Sequence, residues 1–108
     1  MSGTLTAIAR LVASGRYRVS DHAYEELAKD GILPSVVVND VETVQVVEDY
    51  PDANRGPSVL VLGKDWESRP LHAVWGIPRQ RPDIAVLITV YRPDPKAWSN
   101  DFLTRTKR

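Results

Sequence analysis

The chain has two histidines, His22 and His72, which are the first candidates for proton transfer. His72 lies in "RPLHAVWGI", where alternating apolar residues predict a β-strand with His72 on the face opposite Trp75. An ionisable side chain in an apolar strand must either find a hydrogen-bond partner or line a groove. In the second interpretation His72 faces a groove beside Tyr91 or Arg92 and acts as a general acid or base.

His22 lies in "SDHAYEELAKDGI", a pattern that predicts a helix capped by Ser20 or Asp21. On a helical wheel His22 shares the exposed side with Glu26. It is therefore either a second candidate acid or base, or a polar residue that completes the start of a helix.

The stretch "YRPDPKAW" follows the most apolar run of the chain. Tyr91 and Arg92 stand at the predicted strand end, a place where proteins commonly carry functional side chains. We expect Tyr91 to stack on a substrate or donate a proton, and Arg92 to stabilise phosphate together with Arg69. The two prolines set the direction of the exit, and Trp98 is expected to fold back over the core.

Arginines and aromatic rings recur through the second half of the chain, a combination suited to single-stranded nucleic acid because rings stack on bases and guanidinium groups pair with phosphates. Tryptophans are also common core residues, so this alternative stays open for Trp75 and Trp98. The residues that we expect to bind RNA are Arg69, Arg55, Trp98, Arg79 and Arg81, and Arg105, Lys107 and Arg108 add to the basic character.

Length and composition narrow the classes of protein. At 108 residues and 12.1 kDa, we expect one domain spanning residues 1–108. The absence of cysteine excludes disulfides and thiolate chemistry, and two histidines are too few for a metal cluster. No nucleotide-binding or serine-hydrolase motif is present, so neither a cofactor nor a metal is expected. Short apolar runs and the lack of a signal peptide predict a cytoplasmic protein that does not enter membranes.

The net charge is zero, but the charges are separated along the chain. Residues 23–54 hold one lysine and eight carboxylates, whereas residues 55–108 hold ten lysines and arginines and five carboxylates. This pattern is either ordinary solvated surface, or a basic face for an anion and an acidic face for a basic partner.

The elements that must position these residues follow from the hydrophobic periodicity. Helical spacing predicts a first helix over residues 4–14 and a second from Ser20 or Asp21 to Gly31, and a proline suited to a first helical turn indicates a short third helix in "LPSVVVNDVET". Four strands follow, in "TVQVVEDY", "SVLVLGKD", "RPLHAVWGI" and "DIAVLITVY". The expected fold is α+β, with N-terminal helices packed on a four-stranded antiparallel sheet whose central strand is "AVLITV".

Four blocks, "VSDHAYEELAKDGI", "VEDYPDANRGPSVLVLG", "RPLHAVWGIP" and "LITVYRPDPKAW", together resemble a domain-of-unknown-function family of small bacterial and archaeal proteins. The family is marked by a His-Ala helix start and a Tyr-x-Pro-Asp-Pro-x-x-Trp ending, and the resemblance covers residues 16 to 105. This group is similar to the BrnT and RelE/ParE-type toxins of type II toxin–antitoxin operons.

The resemblance implies a RelE/BrnT-like fold, an antitoxin protein as partner, and a metal-independent endoribonuclease acting on single-stranded RNA. In such toxins the 2′-hydroxyl of the RNA attacks the neighbouring phosphate while protein groups move protons. His22 matches the helix-start histidine, and Tyr91 and Arg92 match the strand-end pair. BrnT-like helices read His-Ala-x-x-Arg-x-x-x-Arg-Gly, and here the two arginine positions hold Glu26 and Asp30.

The alternative is a non-catalytic protein-binding module of the same fold, whose acidic segment 40–52 or sheet edge docks a partner. An exposed edge strand also allows a homodimer. Growth arrest on expression would favour the toxin, whereas a benign phenotype with a stable complex would favour the module.

Overall fold

The computed structural model describes residues 2–106. Lys107 and Arg108, counted above among the basic residues, lie outside this range. Three helices come first, apart from one short strand between the first two, and four further strands follow. The elements are α1 (Gly3–Ala13), β1 (Tyr17–Val19), α2 (Asp21–Lys29), α3 (Pro34–Asn39), β2 (Gln45–Tyr50), β3 (Ser58–Lys64), β4 (Pro70–Gly76) and β5 (Ala85–Tyr91).

The sheet has five strands in the order β1-β5-β4-β3-β2, one more than the four expected. The four predicted strands form the antiparallel meander β2 to β5, which confirms that part of the α+β interpretation. The fifth, β1, pairs with β5 in parallel. Three residues are too few to show an alternating pattern, so β1 is invisible in the sequence. Its presence also makes β4 the middle strand, while β5 lies between β1 and β4.

All three predicted helices are present, and their ends follow local chemistry. The Ser2 and Ser20 side chains accept hydrogen bonds from Leu5 N and Ala23 N, which caps α1 and α2. Pro34 opens α3, where its missing N–H costs nothing. Apolar residues from each helix join one core with β3, β4 and β5, so the helices cover one face of the sheet. The buried residues of this core include Ile8, Ala23, Leu27, Val37, Val59, Val61, Leu71, Trp75 and Leu87.

The other face of the sheet, called the open face below, carries Glu48 and Leu60, which pair between β2 and β3, and His72 and Tyr91, which pair between β4 and β5. It is covered in part by residues 93–106, called the C-terminal segment. This segment folds back on itself through a bridge between Trp98 and Arg105. The structure therefore has a second, smaller packed region opposite the main core.

Two β-bulges decide which side chains reach the open face. In β2 the register shifts between Val46 and Glu48. In β5 Val74 pairs with Thr89 while Trp75 pairs with Leu87, so Ile88 is the extra residue. An extra residue reverses the alternation beyond it. Tyr91 therefore lies on the face opposite the core residue Leu87, although the two are four positions apart.

No helix among residues 2–106 is both long enough and apolar enough to cross a bilayer.

Candidate functional site

His72 is fully buried, and both of its ring nitrogens are occupied. Its Nε2 lies 2.8 Å from the carbonyl oxygen of Phe102, and its Nδ1 lies 3.0 Å from the hydroxyl of Tyr91. A carbonyl can only accept, so Nε2 carries the proton and donates. In the neutral ring Nδ1 is then the acceptor, and the Tyr91 hydroxyl donates to it.

The C-terminal segment forms the roof over His72. Trp98 meets the imidazole edge-on with ring centroids 4.4 Å apart, and the guanidinium carbon of Arg105 lies 4.8 Å from the Trp98 ring centroid. Trp98 is buried between them, so of the two alternatives left open by the sequence its ring takes the buried one, folded back as a wall of the site, and it is not an exposed stacking surface. Phe102 has a left-handed backbone (φ 62°), rare for a residue with a side chain, at the point where its carbonyl turns to His72.

An ion pair ties this roof to β2. Arg105 donates from Nε and Nη2 to the two carboxylate oxygens of Glu48 at 2.8 and 3.1 Å, and the hydroxyl of Tyr50 donates to the same carboxylate. The Arg105 side chain remains 64% exposed and that of Glu48 26% exposed. The Arg105–Glu48 pair therefore joins the C-terminal segment to β2, and the Arg105 guanidinium remains accessible to solvent beside the site.

The environment shifts the protonation of these groups in directions that agree with the hydrogen bonds. Burial lowers the pKa of His72, although its bond to the Phe102 carbonyl opposes the shift. Burial raises the pKa of Tyr91. The hydrogen bond from Arg105 lowers the pKa of Glu48. At neutral pH the site thus holds a neutral imidazole, a neutral phenol, one carboxylate and one guanidinium.

Arg92 and Arg69, the predicted phosphate stabilisers, lie away from His72 in a second cluster around Asp65. Nη2 of Arg92 donates to Asp65 at 2.8 Å, and Nε of Arg69 lies 3.6 Å from the same carboxylate. The Asp65 side chain is 1% exposed and also accepts from the backbone N–H groups of Glu67 and Arg69. Burial favours the neutral carboxyl, but these donors together lower the pKa of Asp65. This cluster anchors the loop between β3 and β4.

Glu26 and Asp30, which stand where the resemblance led us to compare arginines, each lie in an ion pair. Nε of Arg92 lies 4.0 Å from Asp30, and Lys29 pairs with Glu26 at 3.3 Å. Asp30 therefore holds the strand-end arginine against the end of α2. Side chains alternate along an extended chain, so Tyr91 turns to the open face and Arg92 to the helix side, where this contact holds it.

His22 is exposed in the first turn of α2, as the helical wheel predicts. Its neighbour Ala23 packs into the helix-side core, whereas His72 points to the opposite face of the sheet. The structure does not bring the two histidines into one site.

The remaining predicted RNA-binding arginines lie at the far end of the sheet. The backbone N–H of Arg79 donates to the Arg55 carbonyl at 2.9 Å, and the two side chains are exposed. Arg81 pairs with Asp83 at 3.1 Å. The predicted site residues therefore occupy four places: the Asp65 cluster with Arg69 and Arg92, the start of α2 with His22, the far end of the sheet, and one contact cluster formed by His72, Tyr91 and Trp98.

Sequence reasoning missed Glu48 and Tyr50 and gave Arg105 no specific role. Strict alternation in "TVQVVEDY" would put Val46 and Glu48 on the same, core-facing side. The bulge in β2 is what turns Glu48 to the open face. The available signal for the bulge was that strict alternation assigned a charged residue, Glu48, to the core-facing side.

Within residues 2–106, no group of three or more His, Cys, Asp or Glu side chains is arranged to hold a metal ion.

Comparison with known proteins gives one match. The family described as "Domain of unknown function (DUF4258)" matches residues 19–92, from the end of β1 to Arg92. No curated protein matches the chain, and no solved structure does. The matched region contains Glu48, His72 and Tyr91, while Trp98 and Arg105 follow it. Because the match covers more than half of its length, the chain belongs to the DUF4258 family of proteins with a domain of unknown function.

Proposed function

We propose that the chain is a toxin-like protein of the RelE/BrnT type and a metal-independent endoribonuclease that acts on single-stranded RNA. The observation that carries this proposal is the hydrogen bond from the half-buried Tyr91 hydroxyl to Nδ1 of the buried His72. It gives the half-buried phenol a proton acceptor whose ring is fully buried and therefore closed to substrate.

In the proposed reaction the RNA 2′-hydroxyl oxygen attacks the adjacent phosphorus and the bond to the 5′-oxygen breaks. Tyr91 oxygen takes the proton of the 2′-hydroxyl while the Tyr91 proton passes to Nδ1 of His72. The imidazolium keeps its Nε2–H bond to Phe102, which favours it as the charge of Glu48 does, whereas burial and the charge of Arg105 oppose it and make it a short-lived proton carrier. The relay then runs backwards and protonates the departing 5′-oxygen. The products are a 2′,3′-cyclic phosphate and a 5′-hydroxyl.

Arg105 supplies the charge that such a reaction needs. Glu48 engages its Nε and Nη2, so a phosphate oxygen would meet Nη1 on the exposed side of the guanidinium. A cation held in place by a carboxylate is preorganised for the developing charge on the phosphoryl oxygens. Arg105 therefore takes the role that the sequence suggested for Arg92.

The first test is cleavage of an end-labelled single-stranded RNA by the purified protein in excess EDTA. Tyr91→Phe removes one oxygen and keeps the ring, and we expect it to lower the rate about 100-fold or more, since acid–base groups contribute that much. Arg105→Gln should lower it as well. Product analysis should find the cyclic phosphate.

Tyr24→Phe is the matched control, because Tyr24 is an exposed tyrosine of α2 in the helix layer. It should cleave like the unchanged protein, and circular dichroism should show that every variant is folded. Equal cleavage by Tyr91→Phe and Tyr24→Phe would trace the activity to a contaminant and refute the proposed relay.

The toxin role is tested in cells. Expression of the chain alone should arrest growth, Tyr91→Phe should not, and co-expression of a neighbouring gene that encodes an antitoxin should restore growth. Arrest by the Tyr91→Phe protein at equal abundance would argue against RNA cleavage as its cause.

The position of β2 favours a second candidate function, the non-catalytic binding module. β2 ends the sheet order, and no strand within residues 2–106 pairs with its outer edge. Residues 40–52 around it carry five carboxylates and no lysine or arginine. A basic extended segment of a partner protein, or a second copy of the chain, could add to this edge. A stable complex without RNA cleavage or growth arrest would favour this function.

A further inference from the structure

A groove of about 500 Å³ lies on the open face at the end of β4 remote from His72. Val86 and Ile88 form its floor with Gly76, and Pro57 and Pro78 form its walls. Ile88, the extra residue of the β5 bulge, is 41% exposed there. A Cβ atom at residue 76 would lie 2.9 Å from Cδ1 of Ile88, so glycine keeps the floor open.

The groove is preformed, because its walls are joined through the backbone. Ile77 N–H donates to the Pro57 carbonyl, and Arg79 N–H donates to the Arg55 carbonyl, each at 2.9 Å. Gly56 has a φ of 124°, and a Cβ atom there would come within 2.0 Å of the Ile77 carbonyl oxygen. A ligand would therefore meet a fixed surface and would not have to order a loop.

The groove continues the open face from the proposed site. His72, Val74 and Gly76 alternate along the same face of β4, and four residues of strand span about 13 Å. An RNA strand with one phosphate at Tyr91 that follows β4 would reach the groove within a few nucleotides.

The charge at the rim fits the same ligand. Residues 53–58 and 76–81 hold three arginines and no carboxylate. Arg55 lines the groove, and the guanidinium of Arg79 donates to the Ala53 carbonyl at 3.4 Å beside it. A nucleic-acid base offers a flat apolar face next to an anionic phosphate, which matches an apolar floor with a cationic rim.

We propose that this groove binds a base of the single-stranded RNA, at a flanking position of the strand whose scissile phosphate lies at Tyr91, while Arg55 pairs with the adjoining phosphate. The inference rests on the proposed function and adds a second subsite to it. It also gives the predicted RNA-binding residues Arg55 and Arg79 a location separate from the reacting groups.

The test measures binding of a fluorescent, 2′-O-methylated single-stranded RNA, which lacks the attacking hydroxyl, by fluorescence anisotropy. Ile88→Asp places a carboxylate on the floor and should weaken binding about tenfold or more. Arg55→Gln should weaken binding and reduce the slope of log affinity against log salt by about one. Leu33→Asp, a change of an equally apolar and 67% exposed residue at the start of α3, should bind like the unchanged protein.

A second measurement separates the subsite from the catalytic proposal. A dinucleotide fills only the Tyr91 site, so Ile88→Asp should cleave it at the unchanged rate while cleaving longer RNA more slowly. The groove proposal would be overturned if Ile88→Asp and Leu33→Asp bound RNA equally well, or if the unchanged protein did not bind RNA. Cleavage of the dinucleotide would then still test the ribonuclease proposal by itself. Weakened binding by Ile88→Asp without any cleavage would support the groove and refute the ribonuclease.

Discussion

His72 is enclosed by a phenol, a carbonyl and an indole. The phenol hydroxyl donates to Nδ1 and so requires a neutral imidazole, whereas the carbonyl accepts from Nε2 in either protonation state. A protonated ring would have to donate from Nδ1 as well, which forces the Tyr91 hydroxyl to turn away. Because burial lowers the pKa of His72 below its ordinary value of 6.5, the folded state resists protonation more than the unfolded chain does.

This difference predicts that stability falls as the pH drops below the ordinary imidazole value. Above a pH of about 6.5, His72 is neutral in both the folded and the unfolded state, and its contribution to folding stability is fully present. Below that pH the unfolded chain binds a proton at His72 that the folded state does not, so the free energy of unfolding falls. Thermal unfolding at about pH 7.5 and about pH 5.5 should show the loss, and His72→Gln should show a smaller one. The carboxylates titrate at lower pH, so they do not produce this step. An equal loss in both proteins would contradict the assignment to His72.

Replacing one carboxylate oxygen of Asp65 by an amide nitrogen should strongly lower the free energy of unfolding. Asp65→Asn should destabilise the protein by about 3 kcal/mol, because it leaves the partly buried guanidinium of Arg92 with only the more distant Asp30 carboxylate, at 4.0 Å, as counter-charge. Nη1 of Arg92 is already buried without a hydrogen-bond partner among residues 2–106, so little can compensate. Urea unfolding measures the change. Asp83→Asn, in the exposed pair with Arg81, is the control and should leave the midpoint unchanged.

At the scale of elements, one side chain links α2 to β5. The Ser20 oxygen accepts from Ala23 N–H to cap α2 and its hydroxyl donates to the Ile88 carbonyl at 2.7 Å, at the bulge. Ser2 caps α1 without such a link to the sheet. We expect Ser2→Ala to cost about 1 kcal/mol and Ser20→Ala about 2 kcal/mol in chemical unfolding. Equal costs would mean that the bond to the bulge contributes nothing.

The elements were largely predictable because their signals are local. Cap residues and period-3.6 spacing identified three helices, and period-two spacing identified β2 to β5. The site was less predictable. His72 was predicted beside Tyr91 or Arg92, and Tyr91 is the one that contacts it, because alternation at the strand end turns Arg92 to the other face and to Asp65. Glu48 was missed because the bulge in β2 reverses the alternation, and a bulge leaves no periodic trace in one sequence.

At the scale of the whole molecule, the open face depends on a segment that follows the family match. The DUF4258 region ends at Arg92, and the roof over His72 begins after it with Trp98. The sheet strands β2 to β5 and the His72–Tyr91 pair thus lie within the family region, whereas α1, which adds Ile8 to the main core, precedes it and the C-terminal segment that covers His72 follows it.

Trp98→Ala should therefore act on both stability and protonation. Removing this buried ring should cost about 3 kcal/mol and let water reach His72, whose pKa should rise toward its ordinary value. Thermal unfolding and NMR titration of the imidazole measure the two effects. Trp66→Ala is the control, because Trp66 is 74% exposed, and it should change neither. An unchanged imidazole titration in Trp98→Ala would show that the roof does not control the burial of His72.

Because of the bulges at Val46–Glu48 and at Ile88, the number of residues in β2 and β5 decides which face of the sheet Glu48 and Tyr91 occupy. Deleting one residue at either place would exchange the inner and outer faces for the remainder of that strand, moving Glu48 or Tyr91 toward the core without changing its identity. An alignment of relatives that ignores a one-residue gap at these places would therefore compare a site residue with a core residue. Gap placement within β2 and β5 is consequently a sharper indicator of a shared site than identity at either position.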